Sequence, residues 1–361
     1  MFSPVFRALI PVVFLLVLGC GQKTSLPGIK LDFVETFEVG PDVVVRSLAV
    51  ADLDSTLLVG TTLGAMEVDL SSGDLRHTWT RENALANEYV FAAFSDASGN
   101  KWLGTNGGGI SMREQQTGKW RTWFPMHGLA DYWVYSFAQQ SNGTMWVGTW
   151  AGLNTFNLKT GKFHTYLKEL VNEWVYGLDV DSLDRVWVGT EGGVNMFDGK
   201  QWHVWTHADG LGAPNDQALP FSTNTGLGTR SRHDLSVLAS GKSTYNPGYV
   251  FALEVDKKDQ VWAATWGGGV SVFDGKSWKN WTSKQGLAGD IVYALAEDQT
   301  GRIWAGTNRG ISWFDGKQWQ VDEKANAQLP DQHVYAITNS PEGHIWVGTR
   351  GGVTHIKLIT Q

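Results

Sequence analysis

The sequence predicts an all-β fold: a seven-bladed β-propeller of four-stranded antiparallel blades, closed by an N-terminal strand that joins the last blade. A Gly-Thr motif recurs along the chain, with about 42 residues between most of its seven copies. Each period holds apolar, β-prone runs separated by turn residues. The last period is one run short, and a single unassigned run stands near the N-terminus. Together these observations are typical of a closed propeller.

The composition allows a large core and excludes two classes of protein. Of the 361 residues, 42% are hydrophobic, so the chain is not of the disordered class. The 29 Lys and Arg residues are outnumbered by 36 Asp and Glu residues, which gives a formal net charge of -7. An acidic chain lacks the basic field that nucleic-acid binding requires, so we expect no nucleic-acid partner.

The first 19 residues are predicted to be a signal peptide. Arg7 is their only charge, and the apolar run at 8–18 is shorter than the roughly 20 residues of a membrane-spanning helix. The run ends in Val-Leu-Gly-Cys at 17–20, which resembles the lipobox of bacterial lipoproteins. The alternatives are an ordinary signal peptide or an accidental apolar start.

If Cys20 is lipidated, the lipid is the protein's only hold on the membrane, and 20–30 is a linker. Cys20 is the only cysteine, so no thiol remains for disulfide or metal chemistry. The residue after it is Gly21, which in the lipoprotein sorting pattern favours the outer membrane over the inner one. We therefore expect a cell-envelope protein, facing either the periplasm or the cell surface.

The repeats place a propeller over residues 31–361. Each motif has an aromatic or aliphatic residue, a spacer and Gly-Thr, with Ala-Thr in the fifth copy. The copies lie at 58–61, 102–105, 146–149, 187–190, 262–265, 304–307 and 346–349. The longer interval between the fourth and fifth copies predicts an inserted loop at about 210–248.

The sixth period shows how one blade is built. Its β-prone runs, named strands a to d from the innermost to the outermost, lie at 292–296, 303–307, 310–314 and 318–321. Gly301, the segment 308–310 and the dipeptide Asp315-Gly316 separate these runs. Asp-Gly suits the positive φ angles of a tight hairpin. Each period therefore predicts one antiparallel four-stranded blade.

The two ends of the chain predict how the ring closes. After Thr349 the only run is at 352–358, which supplies a third strand but no fourth. The run at 31–39, which contains Phe33 and Phe37, precedes the first full period. Adding it to the last blade removes open sheet edges that would otherwise invite aggregation.

These motifs also resemble a known family. The sixth period reads Gly286-Leu287, an apolar strand at 291–296, a turn at 298–301, Ile-Trp-Ala-Gly-Thr at 303–307, and then Gly310, 314–316 and Trp319. This pattern resembles the two-component regulator propeller repeats of periplasmic sensor portions of hybrid histidine kinases, and it covers nearly all of 31–361. The resemblance implies a sensory or scaffolding propeller, expected here as a stand-alone lipoprotein.

Most of the 19 tryptophans recur from blade to blade, which predicts packing between blades. Those on strand b are Trp102, Trp146, Trp187, Trp262, Trp304 and Trp346. Those on strand d are Trp79, Trp120, Trp123, Trp202, Trp205, Trp278, Trp281 and Trp319. Trp313, within a strand c, is also predicted to be core.

The remaining tryptophans define a candidate ligand-binding surface, which we call the aromatic crescent. Together with two tyrosines at equivalent positions, its members are Tyr89, Trp133, Trp150, Trp174, Tyr249 and Trp266. All are predicted on the face that carries the d-to-a connections and the b-to-c turns. Such a crescent could stack on sugar rings or anchor a protein partner. The alternative is that Trp133 and Trp174 turn inward between blades.

Two blades depart from the aromatic pattern of the crescent. At the matching places, blades 6 and 7 carry Ile291, Asn308, His333 and Arg350. The predicted inserted loop, on the same face, adds the candidate contacts Arg230, Arg232, His233 and Asp234. We interpret the loop as a lid or a partner-binding segment, with a merely tolerated insertion as the alternative.

The sequence predicts no metal, no cofactor and no assigned catalytic residue. The nine histidines form no ligand pair. Asp179, Asp181 and Asp184 occupy a turn between strands a and b, where turn chemistry explains them. The glycines at 107–109 and 267–269 precede a strand, so no helix N-terminus can hold a phosphate there.

Two hypotheses for the function follow. The first is a non-enzymatic binding module, a monomeric propeller that holds a carbohydrate-like ligand or an envelope protein. The second is a lyase or hydrolase of the kind known on seven-bladed propellers, such as the streptogramin lyases. It would act on an extracytoplasmic substrate with His233, Asp234 or His333 as acid and base groups.

Overall fold

The computed structural model describes residues 26–222 and 244–360 and confirms the predicted seven-bladed propeller. Each of its seven sheets has four antiparallel strands, and neighbours in a sheet follow one another along the chain in all but the last blade. The predicted signal peptide, Cys20 and the candidate loop contacts Arg230, Arg232, His233 and Asp234 lie outside the described residues.

The strands of the first six blades run in order from a to d. Blade 1 has β2 (Val45–Ala51), β3 (Thr56–Thr61), β4 (Gly64–Asp69) and β5 (Leu75–Trp79). Blade 2 has β6 (Val90–Ser95), β7 (Lys101–Thr105), β8 (Ile110–Arg113) and β9 (Trp120–Trp123). Blade 3 has β10 (Val134–Gln139), β11 (Met145–Thr149), β12 (Gly152–Asn157) and β13 (Lys162–Tyr166). Blade 4 has β14 (Val175–Val180), β15 (Val186–Thr190), β16 (Val194–Phe197) and β17 (Trp202–Trp205). Blade 5 has β18 (Asn246–Val255), β19 (Val261–Trp266), β20 (Val270–Phe273) and β21 (Trp278–Trp281). Blade 6 has β22 (Val292–Glu297), β23 (Ile303–Thr307), β24 (Gly310–Phe314) and β25 (Trp319–Gln320).

Blade 7 is completed by the N-terminal strand, as the sequence predicts. Its own strands are β26 (Ala336–Asn339), β27 (His344–Gly348) and β28 (Gly352–Thr360). Strand β1 (Ile29–Glu38) pairs antiparallel with β28 along its whole length, so the two ends of the described chain share one sheet. The Thr36 and Thr354 hydroxyls, 2.9 Å apart, add a side-chain hydrogen bond across this pair.

Within residues 26–222 and 244–360, helical structure is limited to short turns. The 3-10 turns are Asp52–Asp54, Pro125–His127, His207–Asp209 and Ser283–Gln285, and the α-helix is α1 (Glu323–Asn326). The sequence did not predict α1, because four residues are too short to show a helical period. No helix among the described residues has the length and apolar character needed to cross a membrane.

The Gly-Thr motif recurs because it lies where two blades meet. A Cβ on Gly148 would come within 2.8 Å of the Val175 side chain of the next blade, so only glycine allows this approach. Thr149 is fully buried, and its hydroxyl donates to the Gly152 carbonyl at 2.7 Å across the b-to-c turn. The motif thus fixes both the distance between blades and the turn above them.

The strand-b tryptophans are core residues, as predicted, and five of them also make one recurring hydrogen bond. The Trp304 indole donates to Asp298 at 3.0 Å, and both side chains are buried. Asp96, Asp181, Asp256 and, in blade 3, Gln140 accept the same bond from Trp102, Trp187, Trp262 and Trp146. Trp313 stacks on Trp304 with ring centroids 5.3 Å apart, so it too belongs to the core.

Candidate functional site

A central channel is the feature that the blades create together. Its wall is made by strand a of every blade, each in contact with strand a of the next around a closed ring. We call the face that carries the d-to-a connections and the b-to-c turns the upper face. All six members of the aromatic crescent belong to it, as predicted from their places in the repeat.

A ring of side chains, which we call the channel ring, crosses the channel just below the upper face. Each member directly follows the buried valine at the start of strand a. The members are Arg46, Phe91, Tyr135, Tyr176, Phe251, Tyr293 and Tyr335. In six blades this residue is skipped by the strand pairing: Val134 pairs with Thr149 and Ser136 with Gly148, which leaves Tyr135 between them. Such a bulge turns the extra side chain away from the sheet.

Ring-to-ring contacts connect this arrangement around the channel. Centroid distances are 4.6 Å from Phe91 to Tyr135, 4.9 Å from Tyr135 to Tyr176, and 5.0 Å from Tyr293 to Tyr335. Phe251 lies between blades 4 and 6, at 5.8 Å and 5.7 Å from its two neighbours. The Arg46 guanidinium completes the circle between blades 7 and 2.

The channel ring was not predicted, although the sequence carries a signal for it. A valine followed by tyrosine or phenylalanine opens strand a in six blades, and Val45-Arg46 stands at that place in the first. The pattern resembles ordinary strand alternation, so it predicts burial rather than a position at the channel axis. Only the bulge, which a sequence pattern does not show, separates the two.

One half of the aromatic crescent is buried in the channel wall. Trp174, Tyr249 and Trp266 are only 9%, 3% and 8% exposed. Tyr249 and Trp266 stack with centroids 5.8 Å apart. The Trp266 indole donates to the Thr244 hydroxyl, at the end of the insertion, at 2.6 Å. These three side chains therefore support the upper channel more than they face solvent.

The other half of the crescent is accessible. Tyr89, Trp133 and Trp150 are only half-buried. Trp133 and Trp150 meet edge to face at 4.6 Å, and the Trp150 amide donates to the Trp133 carbonyl at 3.1 Å. Trp150 also lies 5.8 Å from Tyr135 of the channel ring, and Tyr89 lies 4.7 Å from Phe91. These side chains form a fixed aromatic rim directly above the channel ring.

The tyrosines of the channel ring present neutral hydroxyl groups. Burial raises the pKa of Tyr135, Tyr176, Tyr293 and Tyr335 above the ordinary value of 10.0. At neutral pH each therefore keeps its proton and can donate a hydrogen bond. Tyr176 already does so, to the buried carboxylate of Glu191 at 3.4 Å.

The matching positions in blades 6 and 7 are polar or aliphatic, as the sequence shows. Ile291 is buried against the crescent. His333 is exposed, with its Nδ1 atom 3.0 Å from Asp331 and its ring 6.1 Å from Tyr335. Arg350 is exposed on the same side of the channel. The upper mouth is therefore aromatic on blades 2 and 3 and carries polar, titratable groups on blade 7.

The described ends of the insertion lie beside the upper mouth. Phe221 and Tyr245 pair in a short parallel bridge, and the Tyr245 hydroxyl donates to the Ala213 carbonyl at 2.7 Å. Gln217 donates to Asp290 of the next d-to-a connection at 3.1 Å. A cavity of about 160 Å³ remains between this segment and blade 5. The insertion thus borders the crescent next to Trp266.

The lower end of the channel has a different chemistry. A funnel of about 690 Å³ opens there, and its lining includes Glu254, Glu297 and Lys257. Burial raises the pKa of Glu254 and Glu297, and that of nearby Asp179 to about 6. Asp179 accepts the Val255 amide of the next blade at 2.6 Å, and Glu254 accepts the Glu297 amide at 3.0 Å. These carboxylates connect strands a of adjacent blades.

The aspartates at 179–184 take part in structural contacts. Asp181 accepts from the backbone of Leu183 and Arg185 at 3.0 Å, as the turn chemistry predicted. Asp184 bonds to Ser141 of the preceding blade. Within 26–222 and 244–360, no group of three His, Cys, Asp or Glu side chains is placed to hold a metal ion.

Comparisons with known proteins agree with this architecture. The family model for the two component regulator propeller matches residues 128–151, 286–309 and 328–351, which cover strand a and strand b of blades 3, 6 and 7. A comparison with curated proteins found no match.

Solved structures give the same fold. The extracellular domain of a protein described as a hybrid two component system from B. thetaiotaomicron covers 90% of this chain at a TM-score of 0.69 and 23% identity. A second such domain from that organism covers 91% at a TM-score of 0.64 and 18% identity. This chain spans 40% of the length of each. A virginiamycin B lyase from Staphylococcus aureus, solved with quinupristin, aligns with 92% of this chain at a TM-score of 0.65 and 12% identity. The alignment covers 100% of the lyase. At these identities the similarity shows the fold alone.

Proposed function

We propose that this seven-bladed propeller, three segments of which match the two component regulator propeller family model, is a sensory binding module that takes a carbohydrate-like ligand at the upper mouth of its channel. The observation that carries the proposal is the accessible aromatic rim of Tyr89, Trp133 and Trp150, set directly above the channel ring. Aromatic faces held by packing bind the flat apolar faces of sugars without losing much side-chain entropy.

The shape of the rim favours a small ligand over a protein partner. Half of the crescent is buried, so the accessible aromatic surface is confined to blades 2 and 3. A stable protein interface needs about 800 Å² on each partner, with a hot spot surrounded by a wide rim. Tyrosine hydroxyls below the aromatic rim add the few directed polar groups that a small-molecule site uses.

We further propose that the module works in the cell envelope. The structural neighbours from B. thetaiotaomicron are extracellular domains, which supports an extracytoplasmic location. The lipobox-like segment ending at Cys20 supports a lipid anchor, and Gly21 supports the outer membrane. In this arrangement the propeller is held near its ligand without spanning the bilayer.

One observation favours an enzymatic alternative. His333 is exposed at the mouth, its Nδ1 atom lies 3.0 Å from Asp331, and it neighbours Tyr293 and Tyr335. An imidazole oriented by a carboxylate can act as a general base. A lyase or hydrolase would therefore use His333 on a substrate bound to the same aromatic rim. Turnover that His333→Ala abolishes, while binding persists, would identify this function.

A glycan array followed by calorimetric titration tests the binding proposal. Trp133→Ala and Trp150→Ala should each weaken binding of the best oligosaccharide by roughly 30-fold or more, about 2 kcal/mol, as expected for hot-spot aromatics. Tyr132→Ala is the matched control, because this exposed neighbour packs against Phe124 and away from the channel. The control should bind as the wild type does.

Thermal unfolding separates binding from folding. Trp304→Ala removes a fully buried side chain and should cost about 3 to 5 kcal/mol of stability. Trp133→Ala and Trp150→Ala should unfold much closer to the wild type. If they unfold as early as Trp304→Ala, the aromatic rim is core and the proposal is wrong. Capture of a protein partner with no oligosaccharide binding would also contradict it.

A further inference from the structure

The channel ring contains one residue that its packing does not explain. Six of its seven positions are aromatic, and the position in blade 1 is Arg46. The guanidinium carbon lies 5.2 Å from the Phe91 centroid and 5.1 Å from the Tyr335 centroid. Cation–π contacts on both sides thus hold a positive charge in a defined place.

The charge lies toward the axis of the channel. The bulge between Val45 and Ser47 turns Arg46 out of the sheet of blade 1, as the same bulge does for Tyr135 in blade 3 and Tyr176 in blade 4. The Arg46 guanidinium lies between the rings of Phe91 in blade 2 and Tyr335 in blade 7, at the level of the channel ring. The Arg46 side chain therefore lies within reach of anything that enters the upper mouth.

Arg46, which is partly exposed, differs from the buried cations Lys101 and Arg302 of the described chain. Lys101 contacts Asp54 at 2.5 Å and Glu67 at 2.7 Å, and Arg302 bonds to Thr300 and to the Pro27 carbonyl. The Arg46 side chain makes no hydrogen bond and no ion pair with any residue in 26–222 or 244–360, and its Nε atom is buried without an acceptor. Partial burial of a cation without an anion costs free energy, and a ligand that supplies the anion recovers part of that cost.

Other groups around Arg46 suit an oxyanion. The hydroxyls of Tyr135, Tyr293 and Tyr335 are neutral donors in the same ring. The aromatic rim continues from Arg46 without a break, since Phe91 contacts Tyr89 at 4.7 Å and Tyr135 contacts Trp150 at 5.8 Å. A ligand lying on the rim would therefore bring one end over the guanidinium.

We propose that Arg46 binds a carboxylate or another oxyanion of the ligand, so that the upper mouth selects acidic sugars over neutral ones. This inference rests on the proposed function and names the ligand class for the same site. Arg46 supplies the charge-assisted hydrogen bonds, the tyrosine hydroxyls add neutral donors, and the aromatic rim holds the apolar face of the sugar ring.

Titration with two matched series of oligosaccharides tests this inference. One series ends in glucose and the other, of the same linkage and length, ends in glucuronate. The wild type should bind the glucuronate series at least about tenfold more tightly. Arg46→Gln should remove this difference while retaining the weaker binding of the glucose series. Arg46→Lys should keep part of the preference for glucuronate, because lysine keeps the positive charge but lacks the planar guanidinium that binds a carboxylate with two hydrogen bonds.

The control is Arg121→Gln, which removes an arginine of strand β9 that is 52% exposed and far from the channel. It should keep the full preference, which excludes an effect of net charge alone. Two results would overturn the role of Arg46 and leave the proposed function intact. One is that the wild type binds both series equally. The other is that Arg46→Gln melts at the wild-type temperature and still prefers the glucuronate series as strongly. Binding of neither series would contradict both.

Discussion

Replacing Asp298 by alanine should destabilise the propeller more than any change at an exposed turn. Asp298 is 1% exposed; its carboxylate accepts from the Trp304 indole at 3.0 Å, from the Arg302 amide at 3.1 Å and from the Thr300 amide at 2.8 Å. Thr300 is exposed and can bond to water instead. The other two donors are buried, and each costs about 1 to 3 kcal/mol when unpaired. The expected loss is therefore about 2 to 6 kcal/mol.

Urea unfolding followed by tryptophan fluorescence measures this loss. Asp274→Ala is the matched control, since Asp274 accepts the Lys276 and Ser277 amides in a turn of the same fold, but at the surface. Its loss should be much smaller, because water replaces the carboxylate. Equal midpoints for Asp298→Ala and Asp274→Ala would refute the claim that the recurring Asp–Trp hydrogen bond stabilises the blades.

Three further predictions concern the anchor, the closure and the pH dependence. Cys20→Ser should move the protein from the membrane fraction to the soluble one, and unchanged sedimentation with envelopes would reject the lipid anchor. Deleting 29–38 exposes the edge of β28 and should cause aggregation or loss of cooperative unfolding; a soluble variant as stable as the wild type would show that β1 is not needed for closure. Burial and the neighbouring His344 lower the pKa of His355 from 6.5 to about 4, so the folded state favours the neutral ring stacked on Trp346. Between pH 7.5 and pH 4 the wild type should therefore lose more stability than His355→Phe, chiefly below pH 6.5, and parallel curves for the two proteins would contradict this.

Much of the fold could be predicted because the same strand and turn signals recur in each repeat. The strands at 303–307 and 310–314 match β23 and β24 residue for residue, and the predicted closing strand at 31–39 overlaps β1. The Gly-Thr motif recurs in six blades and the Asp-Gly turn in three, and each copy of such a local signal supports the others. The helix α1 and the 3-10 turns were missed because segments of three or four residues are too short to show a helical period, although three of the 3-10 turns recur directly before a Gly-Leu pair.

The candidate site was less predictable, and the reason is geometric. The sequence places Trp174 and Trp133 at equivalent positions, yet Trp174 is buried and Trp133 is partly exposed. Burial at the mouth depends on which neighbour covers each side chain, as Thr244 of the insertion covers Trp266. In the sequence, Arg46 is a charged residue at the start of a strand, and no motif sets it apart. Its position in the channel depends on the bulge between Val45 and Ser47 and on the Phe91 and Tyr335 rings on either side of it.

A crystal structure of the protein bound to the tightest oligosaccharide from the array tests the central claim most directly. The account predicts electron density for a sugar ring stacked on Trp133 or Trp150 at the upper mouth, within contact of the channel ring. Density confined to the lower funnel beside Glu254 and Glu297, or to the outer strands of a blade, would contradict it.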